Sequence, residues 1–188
     1  MSTSAPRLRP VHLVARFFES LRARPLDDAT RAWVIDSLEP AELVVWQGMG
    51  AVDQAEGAAV ARRLDLALGG TPEASDPRWR AAALLHDAGK QESGFGPVGR
   101  SVVTAVAVVA GPSRVRGWVG SDGRARARMG RYVAHDDLGA ERLRRAGARP
   151  EVAAWAGAHH RPSLWSATGI PSPVCRALAT ADGEPRVN

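Results

Sequence analysis

One cysteine, one lysine and few aromatic residues set the first limits on this 188-residue chain. A lone Cys175 excludes an internal disulfide framework and a multi-cysteine zinc site, and it suits a reducing compartment. Of the 25 basic residues only Lys90 is lysine, so the basicity is carried by arginine, which does not titrate in the accessible range. A formal net charge of +5 favours anionic small ligands. Aromatic residues make up 5% of the chain and the arginines are scattered, which argues against a nucleic-acid surface. No apolar stretch approaches the ~18 residues of a membrane span. The longest, Val102 to Ala110, is interrupted by Thr104 and ends at Gly111-Pro112. The opening MSTSAPRLRPVHLVARFFES has positive charge but no compact apolar core followed by a small-residue cleavage site, so a cytoplasmic location is expected.

With 45% apolar and 24% charged residues, the composition fits one globular domain. No segment alternates with a strand period, and helical spacing recurs throughout, so the expected class is all-α. After a loose six-residue tail, Val11, Val14, Phe17, Phe18 and Leu21 form a stripe, read as a helix closing over the core or, alternatively, as a membrane-surface helix. A second helix is expected from Asp27 or Asp28 through Leu38, and a third from Ala41 to Gln47, opened by Pro40. Residues 1–48 are thus read as a helical extension packed on a domain spanning 49–188. In that domain Asp53 is the expected cap of a helix ending at Gly69-Gly70-Thr71-Pro72. Further helices are expected over Arg78–Asp87, Pro97–Ala110, Arg124–Val133, Asp136–Ala146 and Glu151–His159, with a Gly/Pro/Ser turn after Ala110. The last opens at Ser172-Pro173 and stops at Gly183.

Candidate chemistry lies where these helices end. In ALLHDAGK, His86 and Asp87 close a strongly apolar segment, where an ionised carboxylate is costly unless a cation or donors compensate it. Asp87 could equally cap the next segment while His86 packs. Val152, Trp155 and His159 fall at i, i+3 and i+7, which points His159 inward, and His160 is turned about 100° from it. In the last helix Asp182 shares a face with Val174 and Leu178. His135 precedes a helix in which Gly139, one turn on, permits close approach of another element. Imidazoles and carboxylates together suit Mn, Fe, Zn, Mg or Co, as one ion or two.

The ordered set LLHDAGK, HDDLGAERL, AHHRP and LATAD resembles the HD superfamily of metal-dependent phosphohydrolases, closest to its HDIG-type branch, over roughly Asp53 to Asp182. The resemblance implies that His86, Asp87 and Asp182 hold a principal divalent ion. His135, with His159 or His160, would hold a second ion or the scissile phosphate. Asp87 and Lys90 would be catalytic, the lysine neutralising charge on the phosphate. Arg131, four residues before His135, is a further phosphate-binding candidate if the helix continues, or else a solvent-facing arginine. Members of the superfamily begin their ligand set with an earlier His; here that stretch reads VDQAEGAAVARRL and Glu56 stands in its place. Glu56 is then an oxygen ligand, a mark of a weakened site, or an ordinary first-turn glutamate favoured by the helix dipole. The implied activity is hydrolysis of a phosphate ester or anhydride of a nucleotide. The alternatives are a metal- or nucleotide-binding regulatory module without turnover, and a purely structural helical adaptor.

Overall fold

A computed structural model describes residues 25–183, all helical or irregular, with no strand among the described residues. The stripe Val11 to Leu21 lies outside them. Helix α1 (Asp28–Ser37) is capped by Asp27, whose carboxylate accepts the Thr30 N–H at 2.7 Å. Helix α2 (Pro40–Gln47) opens on its proline, with Glu42 reaching back to the Glu39 N–H at 3.0 Å.

Helix α3 (Ala51–Leu68) begins two residues earlier than Asp53, at the cap Gly50. Asp53 is not the cap because its carboxylate is buried in the first turn, where Arg100 holds it. Helix α4 (Pro77–Leu85) is capped by Asp76, which accepts the Arg78 N–H at 3.0 Å. Trp79 and every residue from Ala81 to Leu85 are buried, so α4 runs through the middle of the molecule. It stops at Leu85, two residues short of the expected end, and Lys90–Ser93 forms a 3₁₀ turn. Helix α5 (Pro97–Ala110) is as expected; the turn after it is instead a short helix, α6 (Pro112–Arg116), and a 3₁₀ turn at Gly117–Gly120. Helix α7 (Arg124–Val133) precedes α8 (His135–Ala146), which starts on His135 itself. Helix α9 (Pro150–Ala158) is followed by an unforeseen 3₁₀ segment, Pro162–Ala167, and by α10 (Ser172–Asp182). Gly183, at φ 88°, takes the left-handed conformation that ends α10.

Helices α3, α9, α2 and α1 pack around α4, and α10 lies along α3 and α4. Val34, Val45 and Trp46 from the first two helices belong to the same core as Leu64, Leu84, Leu143, Trp155 and Leu178. A buried ion pair ties those helices to the α8–α9 connection: Arg149 donates to Glu42 through Nε at 2.8 Å and Nη2 at 2.6 Å. Glu42 is 0% exposed. Glu42→Ala would strand the arginine, and breaking such a pair costs about 3 kcal/mol or more. The expected drop in Tm is roughly 6–12 °C, read by calorimetry.

Candidate metal centre

Four helix ends converge. His86 follows α4 directly and Asp87 comes next; His135 opens α8; His159 follows α9; Asp182 ends α10. Helix ends are where a side chain can face inward while the backbone turns away, and each end has a local cause. The chain after α4 turns at Gly89, α7 breaks from α8 at Ala134, Pro162 follows α9, and Gly183 closes α10. Two glycines bring the first two ends together. A Cβ on Gly89 would lie 2.0 Å from the His135 carbonyl oxygen, and one on Gly139 would lie 2.9 Å from the Gly89 nitrogen.

The histidines share one hydrogen-bonding arrangement. Nδ1 of His86, His135 and His159 lies 2.9 Å from the carbonyl oxygen of Ala83, Tyr132 and Ala156 respectively, three residues back in each case. A carbonyl only accepts, so Nδ1 carries a proton, and Nε2 presents a lone pair whenever the ring is neutral. These lone pairs face carboxylates: His86 Nε2 is 3.1 Å from Asp87 Oδ2 and 3.3 Å from Asp182 Oδ1. His135 Nε2 is 3.3 Å and His159 Nε2 3.9 Å from Asp87 Oδ1. All three Nε2 atoms and Asp87 Oδ1 are buried without a hydrogen-bond partner. A lone pair against a carboxylate oxygen in a dry interior needs a cation or a proton between them. His160, exposed, completes a group with His135 and His159 whose ligand atoms lie within 4.8 Å of one another. The donor set is nitrogen and oxygen only, and it fits a divalent ion.

Burial alone would raise Asp87, but His86 and Lys90 beside it hold the carboxyl well below the usual carboxylate range. Lys90 Nζ is ion-paired with Asp87 Oδ2, and although partial burial opposes the charge, Asp87 holds its ammonium above the ordinary lysine value. Burial would likewise lower His86, yet Asp87 and Asp182 outweigh it and raise this imidazole well above its usual value. His159 goes the other way: burial and the neighbouring His160 and His86 depress it. In the metal-free protein His86 therefore holds a proton that an entering cation must displace. Cation affinity is expected to rise with pH, by up to about tenfold per unit, until the raised His86 value is passed. Calorimetric titration with Mn²⁺ in two buffers of different protonation enthalpy reads the proton released.

The structure thus brings together His86, Asp87, Lys90, His135, His159, His160 and Asp182. Glu56 Oε1 meets Arg63 Nη2 at 3.2 Å, and Arg63 Nε donates to the Ala181 carbonyl at 2.6 Å, one residue from Asp182. Arg131 does not extend a helix into His135, because the chain breaks at Ala134; its Nε donates to the Glu92 carbonyl at 3.0 Å. That engagement ties α7 to the 3₁₀ turn after Lys90. Two groups beside the centre were not anticipated. Asp53 and Arg100 form a buried pair near Lys90, and Asp136 with Asp137 binds Arg116 and Arg161. The acidic doublet directly after His135 was the one available signal for the second.

Imidazoles and carboxylates gathered from four helix ends inside an all-helical scaffold form a cluster whose donor atoms could hold a divalent metal ion. The family comparison agrees: the HD-domain model matches residues 55–184, and the chain belongs to the HD-domain family, within the superfamily of metal-dependent phosphohydrolases. No curated protein and no solved structure matches the chain.

Proposed function

We propose that this protein hydrolyses a phosphate ester or anhydride of a nucleotide with the help of one or two divalent ions. The observation that supports it is the set of buried imidazole Nε2 atoms gathered around Asp87. His86, Asp87 and Asp182 would hold a principal ion, and His135 with His159 or His160 would hold a second ion or the scissile phosphate. Bound there, a divalent ion supplies Lewis acidity that activates water and draws charge from the phosphoryl oxygens. The chain's own contributions are orientation and charge. The Ala83, Tyr132 and Ala156 carbonyls fix the imidazoles, and burial excludes bulk water from their Nε2 atoms. Lys90, 24% exposed at its side chain, offers a cation to the incoming phosphate while retaining Asp87 as its resting partner.

The test is release of phosphate by Mn²⁺-loaded protein across mono-, di-, cyclic and dinucleotides. Activity with at least one of them, lost in His86→Ala with the fold retained, is the expected result. A second reading is a metal- or nucleotide-binding regulatory module, favoured by a glutamate, Glu56, standing where the family's first-ligand histidine falls. It expects thermal stabilisation by nucleotide with no product formed.

A further inference from the structure

Helix ends of opposite polarity meet where α8 begins and α9 finishes, and the ring centroids of His135 and His159 there are 5.6 Å apart. Small residues let these two helices pack closely: a Cβ on Gly157 would lie 3.1 Å from the Ala140 Cβ. A charged bracket spans the same junction. Asp136, next to His135, is 1% exposed, and both its oxygens accept from Arg116 Nη2 of α6 at 2.7 Å. Arg161, directly after His160, stands with Nη2 3.5 Å from Asp136 Oδ2 and donates through Nε to the Gly157 carbonyl at 3.1 Å, inside the last turn of α9. Asp137, more exposed, is ion-paired with both arginines. Acids at the start of α8 and an arginine at the end of α9 each complement the local dipole. Two arginines balance two aspartates, so the cluster carries no surplus charge to attract a phosphate. Its buried member is there to hold position.

We propose that Asp136 is a positioning residue: through Arg161 and Arg116 it sets the register of α8 against α9, so that Nε2 of His135 and of His159 both stay aimed at Asp87. This rests on the metal-centre reading above. A carboxylate so fully desolvated is tolerated because Arg116 at 2.7 Å and the Asp137 N–H at 2.9 Å bond it while Arg161 stands 3.5 Å away, which makes the arrangement stiff.

Calorimetric titration with Co²⁺, together with the visible absorption of the Co²⁺ complex, tests it. Asp136→Asn keeps the shape and removes the charge; affinity is expected to fall roughly 10- to 100-fold, the range for residues that orient metal ligands, with an altered absorption band. Arg161→Gln, at a half-exposed site and tolerable to the fold should Asp136→Asn fail to fold, is expected to act in the same direction. Asp137→Asn is expected to act less. Glu42→Gln removes a buried carboxylate at the opposite end of the α8–α9 pair, and it is expected to lower Tm while leaving Co²⁺ affinity and spectrum unchanged. Wild-type affinity and spectrum in both Asp136→Asn and Arg161→Gln would overturn the proposal alone. Wild-type protein that takes up no Co²⁺ would overturn the metal centre, and this inference with it.

Discussion

Replacing Asp87 with alanine is expected to remove metal-dependent hydrolysis and, with it, stabilisation of the fold by metal. Among the described residues Asp87 is the carboxylate that faces all three inward imidazoles: Oδ2 is 3.1 Å from His86, and Oδ1 is 3.3 Å from His135 and 3.9 Å from His159. A ligand present at a thousand times its Kd stabilises by about 4 kcal/mol. For a chain of this size that is a rise in Tm of roughly 8–16 °C, measurable by scanning calorimetry with and without Mn²⁺. Asp87→Ala should show none of that rise, and turnover lower by about a thousandfold or more, the equivalent of losing several kcal/mol of transition-state stabilisation. In the metal-free state the substitution has a second, smaller consequence. Lys90 loses its partner, but its partly exposed side chain can turn toward water, so the cost stays near about 1–3 kcal/mol. An Asp87→Ala protein that keeps the full Mn²⁺-induced rise in Tm would contradict the assignment of the centre.

The inward direction of the centre's residues is legible in the sequence because helical periodicity encodes direction. His159 follows Val152 and Trp155 on one stripe, Asp182 follows Val174 and Leu178, and these apolar residues are buried. Proline and glycine also mark several helix ends correctly, at Pro40, Pro97 and Gly183. What escaped depends on partners distant in the chain. Asp53 has the type and place of a helix cap, and only Arg100, 47 residues on, makes it a buried ion-pair member instead. Arg131 sits at helical spacing from His135, yet the chain breaks at Ala134 and the guanidinium finds a carbonyl 39 residues back. The α4 helix carries its apolar pattern up to His86-Asp87, while the close approach of the following turn to α8 is a contact between segments distant in the chain. Periodicity reports which way a residue faces; it is silent on what faces it.

That contact between α4's exit and α8 supports the other large effect, expected for Gly89→Ala. Gly89 has φ −87° and ψ −11°, which any residue adopts, so backbone conformation is no obstacle. Space is the obstacle. An added Cβ would meet the His135 carbonyl oxygen at 2.0 Å, the Gly139 nitrogen at 2.6 Å and the His135 carbonyl carbon at 2.9 Å. All three are backbone atoms, so no side chain can swing aside. Bringing the first contact to 3.0 Å requires the turn and α8 to separate by about 1 Å. Separation pulls His135 Nε2 away from Asp87 Oδ1, now 3.3 Å apart. Overpacking of this kind costs about 1–3 kcal/mol of stability. A displacement near 1 Å in a reacting centre can cost roughly a hundredfold in rate. Gly96→Ala is the matched comparison: φ is −73°, nothing lies within 4 Å of the added Cβ, and neither Tm nor metal uptake should fall. Denaturation and Mn²⁺ titration of the two variants side by side would separate a loss of glycine flexibility from a loss of room. If Gly89→Ala kept wild-type Mn²⁺ affinity, the close approach of the two backbones would not be what holds His135 against Asp87.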